Sequence, residues 1–170
     1  MDDSVDAIEQ AWRHERPEVD SSSIGIITRV WRLARLLERA RSETLEVLGT
    51  DAGTLDALAT LRRTGRPYRL TAGEMQRRSL VTAGAITQRL DKLEEAGLVR
   101  RERDQRDGRV VQVVLTARGR RLVDNVFVAL MDQEQELLAP LTTQERDGLT
   151  VLLRRWLGWF EGAWIPARRP

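Results

Sequence analysis

The sequence predicts a mainly α-helical fold with a small β-wing, an α+β winged helix-turn-helix flanked by N- and C-terminal dimerisation helices. Three observations carry that expectation. Two helix signals stand in tandem, LTAGEMQRRS and TAGAITQRLDKLEEAG, joined by a turn at Leu80-Val81. A strand–loop–strand follows, LVRRERDQRDGRVVQVVLT, with Asp, Arg and Gly crowded at its tip. Segments on both sides of this module carry apolar residues at the helical period. A second helix laid in the major groove, with a basic ribbon beside it, is a docking geometry for duplex DNA.

Each element has its own signal. Ser4 to Glu9 opens a short amphipathic helix that must end before Pro17. Ser21-Ser22-Ser23 supplies an N-cap for a long helix carrying Ile27, Val30, Trp31, Ala34 and Leu37, which runs to Gly49. Thr54 is expected to cap the next helix, with Leu55, Leu58 and Leu61, and Gly65 and Pro67 close it. Thr71 and Glu74 form a T-x-x-E capping box at the head of the DNA module. Gly97 sits where a helix C-terminal glycine belongs, directly before the strand at Leu98-Val99. The alternation Val111, Val113, Leu115 marks the returning strand. Thr116 caps a helix over roughly 117–139 that Pro140 ends. Thr142 and Glu145 repeat the capping box for a last helix with Leu149, Leu152, Leu153, Trp156, Leu157 and Phe160. The tail from Ile165 to Pro170 is expected to fray. Grouped by role, residues 1–50 are N-terminal helices for dimerisation and a ligand pocket. Residues 51–116 form the DNA-binding module, and 117–170 the C-terminal dimerisation helices.

Composition narrows the chemistry. A chain of 170 residues fits one domain or one compact protomer. It has no cysteine, which removes disulfides, thiol redox sensing and Cys-ligated zinc. Its one histidine, His14, rules out a His-rich metal site within the chain. With no phosphate-binding glycine loop either, no constellation for catalysis or a cofactor is found, and the chain is read as not an enzyme. The acidic start MDDSVDAIEQAW lacks a hydrophobic signal core. No apolar run approaches the roughly 18–20 residues that cross a bilayer, so a cytoplasmic protein without a membrane partner is expected. Net charge is +2 but unevenly placed. Residues 70–121 hold 12 Arg and Lys against 7 Asp and Glu, while the remainder is slightly acidic. Such a basic centre suits a partner that carries phosphates. The strong preference for Arg, with Lys92 the single lysine, is as well explained by a GC-rich coding genome.

The DNA-reading candidates follow from helical geometry. At about 100° per residue, Ala83, Ile86, Leu90 and Leu93 share one face and pack inward. The opposite face presents Gly84, Gln88, Asp91 and Glu95, with Thr87 on its flank. Thr82, Gly84, Thr87 and Gln88 are small or polar groups at the N-terminal end, suited to base edges. Gln pairs adenine with two bonds and Thr offers thymine a hydroxyl or a methyl, each good contact being worth ~1–3 kcal/mol. In the wing, Arg103, Arg106 and Arg109 bracket the Asp107-Gly108 turn, and a narrow minor groove attracts such an arginine. Asp104 is expected to orient Arg106 or a neighbour. A solvated surface is the alternative for both sets. Trp31, Trp156, Trp159, Phe160 and Trp164 exceed what one small protomer hides, which points to a homodimer built from both chain ends. An intrachain core is the alternative there.

These residues resemble the MarR family of bacterial transcription regulators over about residues 24–160. The most specific piece is D-x-R, Asp104-Gln105-Arg106, followed by a strand to Leu115-Thr116 and a basic helix with Gly119. Ser79 to Thr87 is similar to the family's recognition helix. The resemblance implies a triangular homodimer on a double-stranded, pseudo-palindromic operator, usually repressing transcription until a small molecule binds. The stretch Trp12 to Asp20 is similar to the extra N-terminal helix of the family's urate-responsive branch. That likeness implies a ligand site of Trp12, Asp56, Arg89 and Arg101. Helical geometry adds that Arg89 borders the buried face of its helix and reaches inward, where a guanidinium fork suits oxyanions. A structural Asp56–Arg89 ion pair with a packing Trp12 is the competing reading. The stretch Met75-Gln76-Arg77-Arg78 departs from typical members. From a different class stands a winged-helix protein-interaction module without ligand sensing, suggested by the exposed acids Asp91 and Glu95.

Overall fold

The computed structural model describes residues 3–78, 83–104 and 110–163, without the side chains of 83–86 and 163. In chain order the elements are α1 (Ser4–Glu15), α2 (Ile24–Val47), α3 (Ala52–Arg62), β1 (Arg69–Thr71), α4 (Ala72–Arg78) and α5 (Ala83–Glu95). Then come β2 (Val99–Arg103), β3 (Val111–Leu115), α6 (Ala117–Leu137) and α7 (Thr143–Ala163). The protein is mostly helical, with one antiparallel sheet of three strands in the order β1-β3-β2. Three helices, a winged module and two further helices is the order the sequence predicts.

The chain divides into two units, residues 1–127 and 128–170. The core of the first gathers Leu58 and Leu61 of α3, Met75 of α4, Leu90 and Leu93 of α5, and Val99 and Val113 of the sheet, each no more than 3% exposed. These positions recur at helical spacing in α3 and α5, so burying them fixes which face of α5 remains outside. The second unit contains the end of α6 and all of α7. Arg146 of α7 donates to the carbonyls of Leu141 (3.1 Å) and Leu138 (2.8 Å) and to Gln135 Oε1 (3.1 Å). The guanidinium thus adds to the Leu141 N–H bond on the Leu138 carbonyl just past α6 and holds the connection to α7.

Both capping boxes form. Glu74 accepts the Thr71 N–H at 2.8 Å and Thr71 Oγ1 accepts the Glu74 N–H at 3.2 Å. Thr142 and Glu145 do the same at 2.7 and 3.3 Å. Gly97 takes φ +67°, with Gly97 N–H donating to Glu94 and Leu98 N–H to Leu93, the paired bonds of a Schellman ending.

Several expectations change. Thr54 does not cap α3: Asp51 does, accepting the N–H groups of Gly53 and Thr54 at 2.9 and 3.0 Å and the Thr54 hydroxyl at 2.7 Å. A carboxylate one turn earlier serves three donors where a hydroxyl serves one. Ser23 makes no side-chain cap on α2, because its backbone is already helical at φ −61°, ψ −24°. The strand β1 has no counterpart among the predicted elements. Its three residues pair with β3 through Leu70↔Val113, which places Leu70 in the core. The helix α6 stops at Leu137, two residues short of the predicted end. The Leu80-Val81 turn, Trp164 and the 165–170 tail lie outside the described residues.

Candidate nucleic-acid interface

The packing of α5 decides what it can offer to DNA. Leu90 and Leu93 are buried, and Thr87, Gln88, Asp91, Lys92 and Glu95 are exposed, the division that helical geometry predicts. Thr87 and Gln88 therefore stand free near the N-terminal end of the helix, and Gly84 lies one turn before them. Thr82 lies outside the described residues, and so do the side chains of Ala83 and Ile86. Arg103 closes β2, exposed and opposite Val111. Arg106 and Arg109 lie outside the described residues. Asp104 extends the ladder: its N–H donates to the Val110 carbonyl at 2.8 Å, and its carboxylate accepts from Gln112 Nε2 at 3.2 Å. An orienting bond to Arg106 falls on a residue outside the described set.

Helix and wing are tied together. The Arg101 guanidinium of β2 donates to Asp91 at 2.6 Å and to Glu94 at 2.7 Å, while its backbone N–H donates to the other Glu94 oxygen at 2.8 Å. The bond to Asp91, with Glu94 behind it, raises the Arg101 pKa against the opposing effect of desolvation. Behind the wing, α6 closely approaches Leu98, the residue leading into β2, at Gly119. A Cβ there would fall inside van der Waals contact of the Leu98 carbonyl oxygen and 2.9 Å from Leu115 Cδ1. Thr116 seals the approach, its N–H and hydroxyl donating to the Leu98 carbonyl at 3.1 and 3.0 Å.

On the other flank of α5, a cleft of about 360 Å³ is lined by Asp51, Thr54, Gln88, Arg89 and Lys92. Half-buried Arg89 lays its guanidinium against Gly53, where a side chain on residue 53 would collide with it. Partial desolvation pushes the Asp51 carboxyl up, but bonds from Thr54 and Gly53, and the nearby Arg89 charge, outweigh it and hold the pKa low. Arg89 thus faces Asp51. Among the described residues no ion pair joins it to Asp56, so the pair of the competing, purely structural reading is not formed. Trp12 lies on α1, 50% exposed. Asp56 is half-buried on α3, and Arg101 is engaged by Asp91 and Glu94. Of those four residues Arg89 lines the cleft. Sequence reasoning misses Asp51, Thr54 and Lys92, although D-A-G-T does carry a signal: a capping Asp followed by a glycine that leaves room for a long side chain.

Comparison with known proteins decides the family. The model described as "MarR family" matches residues 48–110, from the residue after α2 to the one before β3. The HTH-type transcriptional regulator PecS of Dickeya dadantii is 34% identical over 151 residues, covering 89% of this chain and 91% of that one. The chain belongs to the MarR family of DNA-binding transcriptional regulators. A second relative, the HTH-type transcriptional repressor Rv2887 of Mycobacterium tuberculosis, is 31% identical over 127 residues, 75% of this chain and 88% of that protein. Among solved structures, a mutant MarR from E. coli complexed with operator DNA aligns with a TM-score of 0.64 at 26% identity, over 86% of this chain and 97% of that one. YusO of Bacillus subtilis shares the fold with a TM-score of 0.68 at 24% identity, over 82% and 97%. The winged-helix expectation therefore holds, and the relatives are regulators of transcription, not enzymes. Among the described residues no helix is long and apolar enough to cross a membrane, and no His, Cys, Asp and Glu cluster is fit for a metal ion.

Proposed function

We propose that this MarR-family protein is a cytoplasmic homodimeric repressor, released from a pseudo-palindromic operator by a small anionic or aromatic ligand. The observation that carries the reading is the adjacency of Gln88 and Arg89 on α5. Gln88 stands on the exposed face proposed to read bases and also lines the cleft, whose inner wall is the Arg89 guanidinium. An oxyanion bound to Arg89 would compete with Asp51 and shift α5 relative to α3. A ligand that prefers the shifted state by ~1–3 kcal/mol changes operator affinity roughly 5–150-fold.

In this reading Thr82, Gly84, Thr87 and Gln88 meet base edges, and Arg103, Arg106 and Arg109 the flanking groove and backbone. Membership of the urate-responsive branch rests on the Trp12–Asp20 stretch and Arg89, with Trp12 and Asp56 as further ligand candidates. Arg101, the fourth residue of that likeness, has its donors turned to α5. Dimerisation is supported by exposed apolar side chains on each end of the chain: Trp31, Leu33 and Leu36 on α2, and Leu152, Leu157 and Trp159 on α7, all more than half exposed.

The test is a gel shift with the DNA upstream of the gene, titrated with urate and small aromatic carboxylates. We expect one of them to release the band, and Arg89→Gln to keep the band while losing the release. A band that no compound moves contradicts the ligand reading, as does an undiminished response in Arg89→Gln. Absence of any band contradicts the operator reading.

A further inference from the structure

We propose that Arg101 is a positioning residue for operator recognition, which locks the first wing strand to the recognition helix and neutralises two acids on that helix. The inference rests on DNA reading by α5 and the wing and is independent of any ligand. Three bonds converge on this residue. Glu94 grips it twice, one oxygen on the Arg101 backbone N–H (2.8 Å) and the other on the guanidinium (2.7 Å), and Asp91 takes a second guanidinium arm at 2.6 Å. The forked geometry matters, because a guanidinium engages two carboxylates in fixed directions and an ammonium does not.

Position gives the clamp its consequence. Asp91 lies one helical turn from Thr87 and Gln88, so the clamp holds α5 next to its reading end. Arg101 sits mid-strand in β2, two residues before Arg103, so the same bonds set where the wing leaves the helix. The Schellman turn at Gly97 joins the end of α5 to the start of β2, and the Arg101 bonds add a side-chain tie between the two elements beyond that turn. Asp91 and Glu94 are also partly exposed acids on a helix that approaches phosphates. Left alone they would repel DNA; held by Arg101 they brace the reading surface.

The clamp makes an expectation opposite to simple charge. Removing an acid from a DNA-binding face ordinarily strengthens binding to any duplex. Glu94→Gln should instead weaken binding to a duplex selected from a random pool by the unmodified protein, while binding to a scrambled duplex stays level or rises. A fall of about tenfold in the ratio of the two is the expected size, within what one base contact contributes. Arg101→Gln should lower the ratio similarly, Arg101→Lys should restore little of it, and Arg101→Gln with Glu94→Gln should be no worse than the poorer single variant. Melting temperatures of all four show which proteins remain folded, and Glu94→Gln leaves the arginine in place if its loss is too damaging. The proposal is overturned if Glu94→Gln tightens both duplexes alike. It is also overturned if Arg101→Gln weakens both duplexes equally with a salt slope about one lower and Arg101→Lys repairs it, the signature of a phosphate contact. A drop in melting temperature with an unchanged ratio makes Arg101 a stabilising residue only and overturns it as well.

Discussion

Two glycines, each in the first turn of its helix, separate local propensity from tertiary fit. Replacing either Gly53 of α3 or Gly119 of α6 with alanine removes the same unfolded-state freedom, worth up to ~1 kcal/mol in favour of the variant. At Gly53 the atoms in the way belong to the far end of the Arg89 side chain, which can swing aside. At Gly119 the obstacle is backbone, the Leu98 carbonyl with Leu98 C at 3.0 Å, which cannot yield without moving the chain that leads into β2; the Leu115 Cδ1 of β3, at 2.9 Å, is a side-chain tip that can give. Overpacking of that kind costs ~1–3 kcal/mol. Pushing α6 outward also strains the two Thr116 bonds to the Leu98 carbonyl, each worth ~1 kcal/mol net. The balance for Gly119→Ala is a loss of roughly 2–3 kcal/mol, or about 5–10 °C in melting temperature for a chain of this size. Gly53→Ala should melt at or slightly above the unmodified protein. Thermal denaturation followed by circular dichroism distinguishes the two. A Gly119→Ala protein as stable as Gly53→Ala would refute the close approach of α6 to Leu98 and with it the support of the wing.

Other consequences follow from the same geometry. Asp51→Ala removes the α3 cap and should cost ~0.5–2 kcal/mol at neutral pH. Because the native pKa of Asp51 is held below its unfolded value near 3.9, that stabilisation is complete above about pH 4 and disappears as pH falls through the lower native value. The gap between the two proteins' denaturation midpoints should therefore narrow only in acid, and a gap that narrows between pH 7 and 5 would contradict the assignment. Leu152 is 60% exposed on α7, so Leu152→Glu adds little strain to a lone protomer but charges the proposed dimer face. Sedimentation velocity should show a dimer for the unmodified protein and a shift toward monomer for the variant, and an unaltered dimer would place the interface elsewhere.

The sequence reveals local signals better than tertiary choices. The capping boxes at Thr71 and Thr142, the Gly97 ending and the buried leucines of α5 are all local patterns, and each reappears in the structure. The N-terminus of α3 is ambiguous along the chain because Asp51-Ala-Gly-Thr54 contains two capping residues. Leu55, the first periodic apolar residue, directly follows the wrong one. The strand β1 is too short for alternation to show. The family resemblance groups Arg89 with Asp56, but Gly53 has no side chain to hold the guanidinium off and it settles toward Asp51. The engagement of Arg101 depends on how β2 folds back on α5, which no pattern along the chain encodes.

The most direct test of recognition by α5 is the base preference of Gln88→Ala, measured by selecting bound duplexes from a random pool beside the unmodified protein. Discrimination should relax at one symmetric pair of positions by ~1–3 kcal/mol, with affinity for scrambled DNA nearly unchanged. An identical preference at every position, or an equal loss on all sequences, would mean that this helix does not read the bases.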